Sequence, residues 1–384
     1  MLTLGQTVFP CCEDAYHRKM LSQLLAYLGK NPGIKAKDLA AVLRQEKSVI
    51  NQILHRHRDK FFQNGNFQWS VIGHQELRIE FPENTWVSSK EFEDLLSKSC
   101  TPWHGDCESV IFVLKKEARL LLDALARLLA LCNQLLAAGK RVSLDLTECP
   151  NTCSYLDRMD FFEVLAPDVT VLPKRPKARR GAVYQGNNDG VIELRTIDPS
   201  DPNNEIPRLL ERSFVKCVDE SYSTLALTVI GEPFKNVLDH SRSSLAGFAG
   251  LQAYKNRTRI QVVISDNGQG IVGTLQPILH SRYPKIAARI EQSRGHPGIA
   301  LLKEVFSTGQ ISQVDEDGRG TGLKMSGDQA RKYHALISVR QEDFELRIDH
   351  RPERMRYIEN TNLIRINGTH ISFDFKLDGS KIDR

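Results

Sequence analysis

The first part of the chain has apolar residues at helical spacing, followed by a pattern typical of a β-hairpin. Apolar positions recur at this spacing over 17–28 and stop before a glycine and a proline. Shorter patterns of the same kind follow at 34–43 and 47–54. Residues 61–69 then place an Asn-Gly pair between aromatic flanks, which predicts a β-hairpin. We therefore expect three helices and a two-stranded wing within residues 1–75.

Strand and helix patterns alternate in the middle of the chain. This alternation predicts a small α/β domain over 105–173, with helices packed on a sheet. A basic run that contains prolines, 173–180, marks a domain boundary. We expect residues 174–204 to form a linker and a strand pair. The middle elements are predicted as strands at 110–114, 141–146 and 169–172 and as helices at 117–138 and 153–165.

Polar residues occupy one face of a helical pattern at 225–240. Glu232 and Asn236 are one turn apart, and His240 follows one turn later. Because residues four positions apart lie on the same side of a helix, this face carries a carboxylate, an amide and a third polar group. Asp239, at the neighbouring position, is the alternative third group.

Two glycine-rich segments follow. The first, Asp266, Gly268 and Gly270, comes directly after an apolar, β-branched strand pattern at 260–264. Glycines after an acidic residue let a ligand approach the backbone closely. The second segment leads into a helical pattern, and free N–H groups at a helix start can hold phosphate oxygens. Its residues are Gly318, Gly320, Thr321, Gly322 and Leu323.

In this order and spacing, the three segments resemble the N-box, G1 box and G2 box of the GHKL superfamily, the ATP-binding module of gyrase, heat-shock chaperone, histidine kinase and MutL proteins. The resemblance covers residues 205–377. It implies a C-terminal α/β sandwich, the Bergerat fold, over residues 205–384. It also implies ATP and Mg²⁺ as cofactors. The whole chain is then expected to be a multidomain α+β protein.

The same resemblance implies a role for each matching residue. Glu232 corresponds to the carboxylate that acts as a base or orients water, and Asn236 to the Mg²⁺ ligand. Asp266 corresponds to the acid that reads adenine, in a pocket shaped by Gly268 and Gly270. The other expected nucleotide contacts are His240, Gly318, Gly320, Thr321, Gly322 and Leu323. Residues 271–317 have the size of a mobile lid. Basic residues of this lid could reach a phosphate, namely Arg282, Lys285, Arg289, Arg294, His296 and Lys303.

Two further resemblances concern the rest of the chain. Residues 15–72 resemble winged helix-turn-helix domains, whose third helix enters a DNA major groove. Contact with DNA and contact with another protein both stay open for this segment. Residues 144–156 are similar in shape to the core of STAS domains, in which a serine near the helix start can be phosphorylated. Ser154 lies near that position, and its structural alternative is a helix N-cap or first-turn residue. The outward side of the third helix carries Lys47, Ser48, Asn51, Gln52, His55 and Arg56.

Two functions remain open. One is an ATP-binding regulatory protein, a slow Mg²⁺-dependent ATPase that acts as a nucleotide-controlled switch on a protein or DNA partner. The other is a serine/threonine protein kinase of the anti-sigma type, which would use the same ATP site. A histidine kinase is not expected, because the helical pattern at 117–138 holds no histidine. The candidate partners are an unidentified protein, DNA through residues 15–72, and a second copy of the chain in a homodimer.

Composition changes this picture little. The 384 residues carry a formal net charge of +5, which permits a nucleic-acid partner without requiring one. The long apolar run at 120–138 contains charged and amide side chains, so it predicts a core helix and not a membrane span. We expect a cytoplasmic protein with no membrane contact and with reduced cysteines. A zinc site is the alternative to buried thiols, with ligands from Cys100, His104, Cys107 and Cys11 or Cys12.

Overall fold

The computed structural model describes residues 11–58, 60–71, 76–104, 107–177, 189–198, 200, 205–240, 243–254, 258–309, 311, 322–350 and 356–377. Over these residues the chain has an α+β fold with four β-sheets. In the same ranges, no helix combines the length and the apolar character needed to cross a bilayer. We call residues 11–71 the N-terminal unit, 76–177 the middle region and 189–377 the C-terminal region.

The N-terminal unit contains three helices and a hairpin in the predicted order. The helices are α1 (Cys11–Lys30), α2 (Ala36–Leu43) and α3 (Lys47–Arg56). A third strand joins the hairpin, giving the order β1-β3-β2, with β1 (Ile34–Lys35), β2 (Phe61–Gln63) and β3 (Gln68–Val71). Leu24, Ile53 and Trp69 are buried in the core between the helices and the sheet.

A parallel sheet of four strands forms the middle region, in the order β4-β6-β8-β9. These strands are β4 (Glu76–Phe81), β6 (Ser109–Leu114), β8 (Arg141–Asp145) and β9 (Thr170–Leu172). A short parallel pair consists of β5 (Trp86–Val87) and β7 (Arg119–Leu120). The helices are α4 (Ser89–Leu96), α5 (Leu122–Ala137), α6 (Pro150–Arg158) and α7 (Phe161–Val164).

The middle region differs from the sequence-based expectation in three places. It begins at β4, before residue 105, because alternate side chains of β4 are buried. Helix α5 begins at Leu122, later than residue 117, since the preceding residues form β7. Ser154 is the fifth residue of α6, which begins at Pro150, a residue favoured at the first helical position. The expectation of an N-cap or first-turn serine is therefore wrong.

In the described part of the basic run after β9, Arg175 is bonded to residues in and after α7. The Arg175 guanidinium donates four hydrogen bonds of 2.7–3.1 Å to backbone carbonyl oxygens in and after α7. The acceptors belong to Phe162, Leu165, Ala166 and Val169. The last carbonyls of a helix have no intrahelical partner, and an arginine can satisfy them. Arg175 therefore serves as a helix cap.

The C-terminal region is built on an antiparallel sheet of seven strands, in the order β10-β11-β12-β16-β13-β14-β15. The strands are β10 (Val191–Ile197), β11 (Gly247–Tyr254), β12 (Arg259–Ser265), β13 (Leu336–Glu342), β14 (Phe344–Asp349), β15 (Arg356–Asn360) and β16 (Ile366–Lys376). Strand β10 comes from the segment expected to be a linker and strand pair (174–204), and it pairs with β11. The α-helices described here are α8 (Ile206–Cys217), α9 (Ser223–His240), α10 (Gly270–Arg282), α11 (Pro284–Gln292), α12 (Pro297–Thr308) and α13 (Gly322–Lys332).

Apolar side chains of this sheet point alternately to two different cores. On β12, Val262 and Ile264 join a core with helices α8–α13, whereas Val263 joins the core around α5. Helix α5 contacts β12 and β16 on one side and β8 on the other. All of its residues from Leu122 to Leu135 are buried. The layers are therefore the helices of the C-terminal region, the seven-stranded sheet, α5 and the four-stranded sheet.

Buried charges join the middle region to the C-terminal region. Arg127 of α5 is 2% exposed, and its guanidinium contacts the carboxylates of Glu93 in α4, at 2.7 Å, and of Glu345 in β14. Arg340 of β13 donates from Nε to the same Glu93 carboxylate at 3.0 Å. Arg347 lies 3.0 Å from Glu345. The network therefore connects α4 and α5 with β13 and β14.

Charge compensation keeps Glu345 and Arg127 ionised. Burial alone would raise the pKa of Glu345, but the positive charges of Arg127 and Arg347 hold it well below the ordinary value. Burial alone would lower the pKa of Arg127, and the carboxylates of Glu345 and Glu93 raise it. Removing one partner would leave buried charge without compensation, which destabilises a fold strongly.

We expect Arg127→Met to lower the free energy of unfolding by about 3 kcal/mol or more, because Glu93 and Glu345 each lose a buried positive partner. Arg141→Met is the matched control, since the Arg141–Glu108 pair is 74% and 58% exposed. An exposed ion pair is worth about 0–1 kcal/mol. Urea unfolding of both variants measures the difference. Equal losses would contradict the importance of the buried network.

Candidate functional site

Helix α9 carries the predicted carboxylate and amide at the edge of its buried side. Phe234 and Val237 of this helix are buried in the core of the C-terminal region. Glu232 and Asn236 lie beside them, one turn apart, and both are half-buried. The two side chains therefore share one face of α9, as the sequence predicts. The backbone of His240 ends the helix, but its side chain lies outside the described residues.

The Glu232 carboxylate lies against the first residue of α13. A Cβ atom on Gly322 would be 1.8 Å from Oε2 of Glu232, so this contact requires glycine. Helices α9 and α13 pack together, and Ser326 Oγ donates to the Thr228 carbonyl oxygen at 3.1 Å. Leu323 is buried in the same core. The free N–H groups of a helix start favour a negative charge at this place. Gly318, Gly320 and Thr321, from the same predicted segment, lie outside the described residues.

Asp266 is buried at the end of β12 and is held by backbone groups. Its Oδ1 accepts from the Gly268 N–H at 2.6 Å, and its Oδ2 accepts from the Thr369 N–H at 3.0 Å. A Cβ atom on Gly368 would lie 2.1 Å from the Asp266 carbonyl oxygen, so only glycine lets β16 approach so closely. Gly270 has a φ of +69° at the first residue of α10. Gly268 of the predicted segment thus contacts Asp266, and Gly270 lies against Gly368 and Thr369.

Burial raises the pKa of Asp266 to about 6, although the hydrogen bonds from Gly268 and Thr369 favour the charged form. The carboxyl group is 6% exposed and is ionised only above that pH. Each carboxylate oxygen has a second lone pair, so both can accept a further hydrogen bond.

Helix α9 and Asp266 both lie against Gly247. A Cβ atom on Gly247, at the start of β11, would lie 2.7 Å from Cγ1 of Val237 and 3.6 Å from Cα of Asp266. Val237 follows Asn236, so the amide-bearing turn of α9 lies beside the Asp266 backbone. The preceding turn carries Glu232 to α13. One helix therefore brings together the three segments that are separate in the sequence.

The oxygen donors on α9 suit a hard cation that keeps other ligands. The Asn236 amide and the Glu232 carboxylate offer oxygen atoms, which Mg²⁺ prefers together with water and phosphate oxygens. Among the described residues, no group of three or more His, Cys, Asp or Glu side chains could hold a metal. Cys100 and Cys107 donate to the carbonyl oxygens of Val71 and Ser109. The described part of the expected zinc set is therefore not a metal cluster.

Part of the expected lid consists of helices packed on the sheet. Residues of α10, α11 and α12 belong to the core of the C-terminal region, as Leu279, Ile290 and Leu302 show. Lys303 lies 2.5 Å from Glu359 of β15, and Arg289 lies 2.8 Å from Glu304. A cavity of about 170 Å³ beside β15 has several of the expected phosphate-binding residues in its lining, namely Arg289, Arg294, His296 and Lys303.

Four residues that form the surroundings of Asp266 were not predicted from the sequence. Gly368 and Thr369 hold its carboxyl group and backbone, and Asn267 and Gln134 are bonded beside it. Thr369 is 103 residues from Asp266 in the chain. The only signal was the strand pattern at 369–375, which shows a strand but not its contacts.

We expect the stability of the fold to fall as Asp266 ionises. The folded-state pKa of about 6 lies above the ordinary 3.8, so the folded chain holds this proton more tightly than the unfolded chain. The stabilisation that this proton gives to the folded state is complete below about pH 4. It is lost as the pH rises through about 6, which lowers the free energy of unfolding by about 2–3 kcal/mol. Urea unfolding of wild type and Asp266→Asn at pH 4–7 should show wild type losing stability relative to the variant. A difference independent of pH would contradict a buried, titrating Asp266.

Comparison with models of protein families gives no match, and comparison with curated protein sequences gives none either. The site is therefore characterised by its own geometry. That geometry is a carboxylate against a helix start, an amide one turn away, and a buried aspartate surrounded by glycines.

Proposed function

We propose that the C-terminal region binds ATP with Mg²⁺ and hydrolyses it slowly, as a nucleotide-controlled switch on a protein or DNA partner. The observation that carries the proposal is the convergence on α9. Glu232 contacts Gly322 at the start of α13, and Val237 and Asp266 both lie against Gly247. A carboxylate, an amide and a buried acid would then form one site together with the glycines beside them, which suits a nucleotide with its metal.

Asp266 is the adenine-binding group in this proposal. Its oxygens already accept from Gly268 and Thr369, and each keeps a lone pair for the exocyclic amino group of adenine. Guanine has a carbonyl oxygen at that position, which cannot donate to a carboxylate. The site is therefore expected to prefer ATP to GTP.

Asn236 and Glu232 supply the groups for metal binding and hydrolysis. The Asn236 amide oxygen would hold Mg²⁺, which would supply positive charge to the phosphates. ATP supplies the phosphoryl group that is transferred. Glu232 orients the attacking water and takes its proton, while ADP leaves. Transfer to a serine or threonine of a partner protein would use the same residues, with the hydroxyl in place of water.

We expect Glu232→Gln to lower ATP turnover by about 10²–10⁴-fold with little change in ATP affinity, because it removes the proton acceptor and keeps the shape against Gly322. Asn236→Ala should lower both Mg²⁺-dependent affinity and turnover. Lys235→Ala, an exposed residue of the same helix, is the control. Assays with γ-labelled ATP measure turnover and show whether label reaches free phosphate or protein. Wild-type turnover in Glu232→Gln would contradict its role.

DNA binding is a second candidate function, and the open face of α3 favours it. On α3, Lys47, Gln52 and Arg56 are exposed, whereas Ile50 and Ile53 are buried. Residues 11–71 hold ten Lys and Arg but five Asp and Glu. Such an excess of positive charge attracts a phosphate backbone.

The wing of the N-terminal unit packs against the rest of the chain. The Asn64 amide donates to the Ser97 carbonyl oxygen at 2.6 Å. A Cβ atom on Gly65 would lie 2.4 Å from Cβ of Asn362, which follows β15. The wing thus contacts the rest of the chain, whereas the polar side of α3 is exposed. Recognition of a duplex would therefore use α3.

If α3 binds DNA, Lys47→Ala with Arg56→Ala should weaken binding, because each side chain would neutralise a phosphate. The logarithm of the binding constant falls linearly with the logarithm of the salt concentration. The slope of this line should become shallower by about one unit for each phosphate that is no longer neutralised. Lys90→Ala, an exposed lysine of the middle region, should leave binding unchanged. Fluorescence anisotropy with mixed duplex DNA at several salt concentrations measures both effects. An absence of binding at low salt, with and without ATP, would contradict the DNA function and favour a protein partner.

A further inference from the structure

A buried glutamine of the middle region is bonded to residues next to Asp266. Gln134 lies in α5 and is 4% exposed. Its Nε2 donates to Oδ1 of Asn267 at 2.8 Å and to the carbonyl oxygen of Asn367 at 2.9 Å. Its Oε1 accepts from the N–H of Asn367 at 2.8 Å. Both N–H groups and the oxygen atom of the Gln134 amide are thus bonded to residues of the C-terminal region.

Both partners of Gln134 are chain neighbours of the groups that hold Asp266. Asn267 follows Asp266 directly, and its own amide donates to the Ala246 carbonyl oxygen at 2.8 Å, beside β11. Asn367 precedes Gly368 and Thr369, which contact the Asp266 backbone and carboxylate. The two segments are 100 residues apart in the chain. Gln134 joins them from outside that region.

We propose that Gln134 is a positioning residue of the nucleotide pocket, through which α5 holds Asp266 in place for adenine. This inference rests on the proposed function, because ATP is the ligand that it assumes. The Asp266 N–H also donates to the Thr369 carbonyl oxygen at 2.9 Å, next to the pairing of β12 with β16. Without the glutamine amide, the side chain of Asn267 and the backbone of Asn367 lose buried partners, so this pairing alone holds the two segments together and they become more mobile. Correct placement of Asp266 therefore requires the middle region. Any partner that shifts α5 changes nucleotide affinity, and by linkage nucleotide changes the affinity for that partner.

Asn133, the adjacent residue of α5, provides a matched control. It is also buried, at 9% exposure. Its Nδ2 donates to the Val164 carbonyl oxygen at 3.0 Å, and its Oδ1 accepts from the Ala166 N–H at 2.8 Å. These bonds stay within the middle region. Asn133→Leu therefore removes a similar number of buried hydrogen bonds without touching Asn267 or Asn367.

The first arm of the test uses the full chain without nucleotide. Gln134→Met keeps the side-chain length and removes its hydrogen bonds. Hydrogen exchange should become about tenfold faster at the amides of Gly268 and Thr369, the two donors to Asp266, and stay unchanged there in Asn133→Leu. Unchanged exchange at both amides in Gln134→Met would overturn the positioning role, whatever nucleotide does.

The second arm measures the affinities for ATP and GTP with Mg²⁺. Gln134→Met should bind ATP about tenfold more weakly and discriminate less against GTP, while Asn133→Leu keeps wild-type values. Gln134→Glu, which keeps the acceptor for Asn367 and loses the donors, should behave in the same way and serves if the methionine variant does not fold. Unchanged discrimination in both Gln134 variants, or equal losses in Asn133→Leu, would overturn the inference. If exchange becomes faster in Gln134→Met but the wild-type chain binds no ATP, the proposed function is overturned. The nucleotide part of the inference then fails with it.

Discussion

Helix α5 is covered on both sides, and this burial is the constraint on which the rest of the structure depends. The helix is apolar nearly all round because one side meets the four-stranded sheet and the other meets the seven-stranded sheet. A charge inside such a layer must be compensated, and Arg127 is compensated by Glu93 and Glu345 from two different regions. The middle and C-terminal regions therefore share one interior.

A shared interior gives the candidate site its rigidity. Asp266 lies at the end of β12, the strand that contacts α5, and its neighbour Asn267 is bonded to Gln134. From the other face of the sheet, α9 places Val237 beside Asp266 and Glu232 against Gly322. The pocket is therefore held from both faces of the seven-stranded sheet. A site fixed on rigid elements keeps its groups in position for a ligand.

Local sequence patterns predicted helices and strands, but they did not predict contacts between residues far apart in the chain. The helical pattern at 225–240 corresponds to α9, Ser223–His240, because spacing along one helix face is a local property. Strand β15 was not predicted, since Tyr357 and Ile358 are both exposed and the strand shows no alternation. Gln134 looked like a polar interruption of an apolar run, because its partners lie 133 and 233 residues away. Sequence spacing contains no information on such pairs.

Calorimetric titration of the full chain with ATP, in Mg²⁺ and in excess EDTA, tests the central claim most directly. The proposed site, with Asn236 and Glu232 on one face of α9 and Asp266 near the same helix, predicts one ATP for each chain. It also predicts that affinity falls when Mg²⁺ is removed, because in the proposal the Asn236 amide would bind the metal together with the nucleotide. Heat of binding that is absent in both conditions at millimolar ATP, or that is unaffected by EDTA, would contradict the account.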